Sequence, residues 1–391
     1  MKKTIKLAVV AALALGTTSV FATNGSSLIG TGAKARGMGG VGIGMSHGAE
    51  SALSNPALIS SVDGTEVQFG GTIFMPNVST DTGGGAGAKD SAADMSVIPA
   101  VSIASKVNDN FYWGIGMWGT AGMGVDYRDE AANFKMVTNL QLMQFGVPLT
   151  YATSGFSIGI TPVLQYGALD INYDGTALGG GNTGAGVSQD LAFGVNVGAA
   201  YEIAGVTIGA SYKSQIDMEY KGQISTAMAG FGVPGASDTL STPSEMGIGV
   251  SYELSGNAIA VDVKQIAWSK AKGYKDFGWK DQTVVALGYE YSAEAWAARV
   301  GFNYAKSPIK DQGLAKSLNN VLNSLGFPAT TESHVTVGGT YNFSKQTSVD
   351  LALAYAPKVK TSFDYNLGSG ATKIETTHSQ TSVSVGLNYN F

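Results

Sequence analysis

The chain ends in Ser382-Val383-Ser384-Val385-Gly386-Leu387-Asn388-Tyr389-Asn390-Phe391, and this stretch alternates without a break. Valine, leucine, tyrosine and phenylalanine fall on one side of an extended strand, and serine, glycine and asparagine fall on the other. Successive side chains of a strand point to opposite faces, so a period of two marks a β-strand with one apolar face. The pattern recurs upstream. Val349, Leu351, Leu353 and Tyr355 oppose Ser348, Asp350, Ala352 and Ala354. Trp296, Ala298, Val300, Phe302 and Tyr304 oppose Arg299, Gly301 and Asn303, and Phe193, Val195, Val197, Ala199 and Tyr201 oppose Gly194, Asn196 and Gly198. A soluble sandwich with its apolar faces turned inward would read the same way. Strand count and loop lengths decide between the two.

Working outward from the C-terminus, the pattern predicts strands near 65–75, 97–105, 111–120, 139–151, 155–167, 190–202, 205–217, 245–254, 257–268, 281–292, 295–305, 333–344, 347–359 and 379–391. Most are about the ten residues that a tilted strand needs to cross an outer membrane. Connections alternate between long ones (76–96, 121–138, 168–189, 218–244, 306–332, 360–378) and tiny ones (152–154, Ala204, Ser255-Gly256, Ala293-Glu294, Lys345-Gln346). Long external loops and short periplasmic turns are the barrel signature. The predicted fold is therefore all-β, a fourteen-stranded antiparallel transmembrane β-barrel with both termini on the periplasmic side. Tyr112, Trp113, Tyr289, Tyr291, Trp296, Tyr304 and Tyr341 near strand ends are expected to form its aromatic girdle.

Composition agrees with export and excludes several functions. The 391 residues hold no cysteine, which removes disulfides, thiolate metal sites and cysteine nucleophiles. Charged residues are only 14%, and glycine reaches 54. Residues 1–22 read as a signal peptide: Lys2, Lys3 and Lys6 precede an apolar run at 7–15, and Val20-Phe21-Ala22 resembles a cleavage site. Beyond it no run of 18 apolar residues reads as a transmembrane helix. Without those three lysines, 21 basic residues face 29 acidic ones, a net of −8, which gives no support to nucleic-acid binding. Gly37-x-Gly39-x-x-Gly42 matches a dinucleotide fingerprint, but no strand precedes it, and we read it as chance. His47, His334 and His378 are far apart in sequence, and no metal site is expected of them. No serine and histidine share adjacent lipid-facing positions, so no catalytic residues, no enzymatic activity and no cofactor are expected.

Residues 23–63 lack clean alternation and precede the first strand. A barrel of this size encloses a lumen, and larger barrels are often plugged. We read 23–63 as an internal hatch and 64–391 as the barrel.

Ser54-Asn55-Pro56-Ala57-Leu58-Ile59, following Gly30-x-Gly32-Ala33-x-Ala35-Arg36-Gly37, is similar to the N-terminal hatch of the FadL-type family of long-chain fatty acid transporters. Gly278-Trp279-Lys280-Asp281-Gln282 with Ala286-Leu287-Gly288 resembles the start of its tenth strand, and Phe302-Asn303-Tyr304-Ala305-Lys306-Ser307-Pro308-Ile309 resembles a later strand end. The final Asn388-Tyr389-Asn390-Phe391 resembles its closing aromatic. The resemblance spans the mature chain and implies a monomeric outer-membrane transporter embedded among lipid and lipopolysaccharide. A long-chain fatty acid or other hydrophobic small molecule would enter through a loop groove, pass a lumen pocket, meet a shifting hatch and leave sideways at a kinked third strand. Physics favours such a route: exposing a sixteen-carbon chain to water costs roughly 12 kcal/mol at about 0.8 per methylene.

Individual residues take two readings each. Asn55, Pro56 and Ala57 fit a mobile hatch element or a rigid turn. Gly114, Gly116 and Gly119 in the third strand permit a kink for lateral opening, or simply leave room for the hatch. Met228, Phe231, Val233 and Pro234 line a ligand groove or pack on themselves, and Leu314, Leu318, Val321, Leu322 and Leu325 have the spacing of an amphipathic cap. Lys213, Asp262, Lys264, Glu290, Arg299 and Asp350 fall on the lumen face. Arg299, Lys264 and Lys213 either bind a substrate carboxylate or pair with lumen acids. The competing functions are a general diffusion porin and a structural or adhesive barrel.

Overall fold

The structure is a computed structural model that describes residues 23–176, 181–368 and 370–391; the expected leader at 1–22 lies outside them. Fourteen strands form the wall: β1 (Thr65–Asp81), β2 (Ser96–Lys106), β3 (Phe111–Asp126), β4 (Val137–Gly146, continued by Leu149–Thr153), β5 (Phe156–Asp174), β6 (Ser188–Ile203), β7 (Val206–Lys213), β8 (Glu245–Leu254), β9 (Asn257–Ile266), β10 (Gln282–Ser292), β11 (Trp296–Ala305), β12 (Ser333–Asn342), β13 (Thr347–Tyr365) and β14 (Thr372–Asn390). Each pairs antiparallel with the next, and β14 closes onto β1 from Asn390↔Glu66 to Glu375↔Asp81. Closure leaves no open edge to face lipid.

The alternation resolves in the sense opposite to a soluble protein. On β14 the apolar residues Val383, Val385, Leu387 and Tyr389 are 37–50% exposed, while Ser382, Ser384 and Asn388 are at most 2% exposed. The apolar face is thus the lipid face. Trp113, Tyr289, Tyr291, Trp296, Tyr304 and Tyr341 point outward as expected. Tyr112 does not: it is buried against Ala104, Val62 and Trp118, because it sits one residue out of phase with Phe111 and Trp113.

Local chemistry explains the turns. Ser154-Gly155, Ala204-Gly205 and Ser255-Gly256 each have positive φ at both residues (49 and 79°, 51 and 79°, 51 and 78°), the type I′ arrangement that matches strand twist. The predicted strand at 139–151 is interrupted at Val147-Pro148, since proline has no N–H for the ladder. The predicted strand at 205–217 stops at Lys213. Beyond it Ile216–Glu219 pairs with Thr239–Thr242 as a separate hairpin. Conversely β1, β3, β5, β13 and β14 run five residues or more past the predicted outer ends and carry the loops.

The N-terminal segment lies inside this ring, with a short helix, α1 (Ala33–Gly37), and a single helical turn at Ser51–Ser54. The wall accepts its backbone through glycines that face the lumen. A Cβ at Gly209 would sit 1.8 Å from Ile43 O, one at Gly198 1.9 Å from Asn55 Oδ1, and one at Gly301 2.1 Å from Gly39 N. Gly159 and Gly249 meet Pro56 and Gly44 in the same way. The small residues that make the strands alternate are therefore a cast of the segment they hold.

Replacing Gly209 or Gly301 by leucine should leave the barrel able to assemble but unseat the N-terminal segment. Planar-bilayer conductance should rise, and protease should cut within 23–62; wild-type conductance in both variants would contradict this packing.

Candidate functional site

The N-terminal segment is fastened by polar bonds as well as by shape. The Asp262 carboxylate on β9 accepts three consecutive amides, Gly42 N–H and Ile43 N–H on Oδ2 (2.7 and 2.8 Å) and Gly44 N–H on Oδ1 (3.2 Å). Nearby, Ser251 donates to Gly44 O (2.8 Å) and Asn303 to Gly39 O (2.9 Å). Asn55 is fully buried and bonded on all sides. Its Nδ2 donates to Ile43 O (2.8 Å) and to Ala199 O of β6 (3.2 Å), and its Oδ1 caps the amide of Ala57 (3.1 Å). Pro56 then opens a 3-10 turn at the first position, where its missing N–H is harmless. Thr150 donates to Pro56 O (2.7 Å). Asn55-Pro56-Ala57 is thus a capped turn docked on three strands.

The lumen cations expected on the polar face are all engaged with acids. Lys264 lies 3.2 Å and Lys213 3.8 Å from the same Glu245 oxygen. Arg299 pairs with Glu290, directly opposite in register, and its Nη1 is 3.7 Å from Asp350. Asp350 is held further by Thr340 and Asn388. A small cavity of about 50 Å³ separates the lysine pair from Gly30 and Thr31.

The third strand parts from β2 partway along while staying paired with β4. Pairing of β2 with β3 stops at Ala100↔Trp118, next to Pro99, which has no N–H to give. Across the strand, the register with β4 slips between Gly119 and Ala121, a one-residue bulge at Thr120. Every residue from Ala121 to Asp126 is buried, and Ser27 of the N-terminal segment pairs with Ala121. Gly119 faces Ile98, whose Cγ2 would lie 2.6 Å from an added Cβ, and Gly116 lies under the Trp118 ring. Gly114 abuts Ile103 O and Pro148. The bulge thus falls at Thr120, next to Gly119, and Leu28, Phe74, Ala93 and Ile98 pack together beside it.

Above the N-terminal segment, long loops and the outer end of β3 converge on an apolar cavity of about 20 Å³. Met123, Leu169, Ile171, Ile224, Leu240, Tyr274, Phe277, Trp279, Leu322, Asn323 and Phe327 line it. No charged side chain is among them. The amide of Asn323 is satisfied by Trp279 Nε1 (2.9 Å) and Phe277 O (2.9 Å). Trp268, Tyr274 and Trp279 pack edge-on with centroids 4.6–4.9 Å apart. Burial pushes the Tyr274 phenol above its ordinary range, so it remains neutral. It lies 3.2 Å from Ser26 Oγ, and Gly25 rests against the Trp268 and Trp279 rings. The floor of the cavity is therefore tied to the tip of the N-terminal segment.

Of the expected groove residues, Met228 and Phe231 join this apolar cluster, with Phe231 stacked on Tyr173 at 4.4 Å. Met228 belongs to helix α2 (Ile224–Gly230). Val233 is 43% exposed and Pro234 is also exposed, so both lie outside it. The amphipathic spacing at 314–325 becomes helix α3 (Ser317–Val321) and a following wider turn, which place Leu322 in the cavity wall and leave Leu314 exposed. Sequence reasoning missed the aromatic triad. The signal was present, since loop 267–281 carries two tryptophans that a solvated connection has no reason to hold.

Comparison with known proteins places these features in context. The family model described as "Outer membrane protein transport protein (OMPP1/FadL/TodX)" matches residues 8–391. The long-chain fatty acid transport protein of Escherichia coli O6:H1 is 25% identical, over 90% of this chain and 92% of that protein. Among solved structures, a Pseudomonas aeruginosa FadL homologue superposes with a TM-score of 0.73 at 16% identity, over 94% of this chain and all of the other. The P. putida toluene transporter TodX gives 0.68 at 18% identity, over 93% and 99%.

Asp262→Ala would strip three buried amides of their acceptor, a loss of about 3 kcal/mol or more of docking free energy. Hydrogen exchange at Gly42, Ile43 and Gly44 should accelerate accordingly, while exchange within β8–β11 stays slow; unchanged protection at those three amides would contradict the anchor.

Proposed function

The chain belongs to the OMPP1/FadL/TodX family of outer membrane transport proteins, and we propose that it takes up long-chain fatty acids or similar hydrophobic molecules across the outer membrane of a Gram-negative bacterium. The observation that carries this reading is the apolar, uncharged cavity seated on the tip of the N-terminal segment. A general porin needs a hydrated, charged constriction. Here the lumen is filled by the N-terminal segment, and the outer cavity is apolar.

The geometry supplies a residue-level route. Met228 and Phe231 form the outer rim of the apolar cluster, where a ligand leaves water. The cavity as it stands holds no more than about one water, so a long chain must wedge its walls apart. Those walls include Tyr274 and Trp279, on which Gly25 and Ser26 rest. Displacing the rings displaces the tip, and the tip is also what pairs with β3: Ser27 with Ala121, and Gly122 N–H with Ser26 O (3.1 Å). Freed of it, the interval between β2 and β3 keeps Ile98, Phe74 and Ala93, an apolar packing that a hydrocarbon chain can replace. The ligand then leaves sideways into the bilayer. In this reading Asn55-Pro56-Ala57 and Asp262 are the fixed end of the hatch, and residues 25–28 are its moving end. The exposed apolar band meets outer membrane lipid and lipopolysaccharide, and the protein acts as a monomer.

The test is uptake of labelled oleate and labelled toluene by a strain lacking its own transporter, with and without this protein. Uptake of either above the empty strain is expected. Leu322→Asp, which puts a charge in the cavity wall, should abolish it in protein that still shows heat-modifiable barrel migration. Absence of uptake of both probes by the wild-type protein would overturn the reading.

A further inference from the structure

Helix α1 lies in a trough on the lumen wall. The floor is the lumen face of β13, formed by Ala352, Ala354 and Ala356, none more than 5% exposed. Register aligns the walls: Thr336 of β12, Ala354 and Ser382 of β14 make one row. Two residues outward on each strand stand His334, Ala356 and Gln380. His334 Nε2 and Gln380 Oε1 lie 3.2 Å apart across that second row. Gln380 Nε2 in turn lies 3.1 Å from Nε2 of His378, whose Nδ1 donates to Pro328 O at 2.8 Å. The two histidines, distant in sequence, thus belong to one network. Pro328 follows Phe327 of the apolar cavity, so this network reaches from the cavity wall to the row beside α1.

Arg36 enters the trough from α1. Its Nη2 donates to Ser382 Oγ (2.7 Å) and its Nη1 to Gly30 O (3.4 Å). It is 1% exposed. Among the described residues no carboxylate lies within 4 Å of it, in contrast to Lys213, Lys264 and Arg299, which all have acids. Its Nε and the Nδ1 of neighbouring His334 have no hydrogen-bond partner. A buried cation without an anion is expensive, and a buried donor without an acceptor calls for an explanation. A guanidinium is the side chain whose fork fits a carboxylate. The alanine floor beside it offers an apolar surface for a methylene tail.

We propose that Arg36, flanked by His334 and Ser382, is a way-station for the carboxylate head of an amphiphilic substrate between the apolar cavity and the exit. The proposal rests on the transporter reading and deepens it: the cavity takes the tail of the substrate, and the trough takes a head that a pure hydrocarbon lacks.

The experiment compares uptake of oleate with that of its uncharged analogue, oleyl alcohol, in cells making wild-type protein, Arg36→Gln or His334→Asn. The ratio of oleate to oleyl alcohol uptake should fall about tenfold in Arg36→Gln, the scale of one charge-assisted bond, and Arg36→Lys should restore part of it. His334→Asn, which removes no hydrogen bond of the N-terminal segment, should lower the same ratio and serves where Arg36→Gln fails to assemble. A ratio unchanged from wild type in the assembled variants overturns the way-station. So does wild-type uptake of oleyl alcohol without oleate, which would leave the transporter reading standing. Uptake of neither probe by wild type overturns both.

Discussion

Every feature of this protein follows from the requirement that no backbone N–H or C=O meet hydrocarbon unpaired. The ladder from Asn390↔Glu66 to Glu375↔Asp81 satisfies it by joining the last strand to the first. Once the sheet is closed, one face of each strand belongs to lipid and the other to the lumen. The chain must then fill a space that a fourteen-stranded ring makes too wide for side chains alone. The N-terminal segment fills it.

That filling is done by backbone more than by side chains. Gly159, Gly198, Gly209, Gly249 and Gly301 stand where wall and segment touch, and at each a methyl group would collide. Close approach brings buried amides and carbonyls to the wall, and these need partners. Asp262, Ser251, Asn303, Asn55 and Thr150 supply them. The same economy governs the charges. Glu245, Glu290 and Asp350 neutralise Lys213, Lys264 and Arg299, so the lumen holds charge without presenting an open ring of it. Arg36 departs from this rule.

The ring has one weak interval. Where β3 bulges at Thr120 and Pro99 supplies no N–H, hydrogen bonds give way to the packing of Ile98, Leu28, Phe74 and Ala93. Hydrogen bonds in lipid are costly to break, whereas apolar contacts can be exchanged for contacts with a hydrocarbon at little net cost. A sideways passage is cheapest there. The tip that pairs with Ala121 also touches Tyr274 and Trp279, so the interval and the outer cavity share one moving part.

The sequence by itself determined the strands, their order and the alternation of long loops with short turns. These are local properties: a period of two is written in neighbouring residues, and Ser255-Gly256 makes its turn regardless of what lies across the barrel. Even so, Tyr112 and the break at Pro148 show where local reading slips, the one by a single residue of phase and the other by one missing N–H. Only the tertiary structure decided which lumen groups find each other. Asp262 meets Gly42 from 220 residues away, and Ser382 meets Arg36 from 346. Trp279, backed by Trp268, becomes a cavity wall only when loop 267–281 folds over the mouth. His334 and His378 become neighbours only when register lays Ala356 between their strands. Contacts across a closed ring depend on strand number and shear, and no stretch of chain carries either alone.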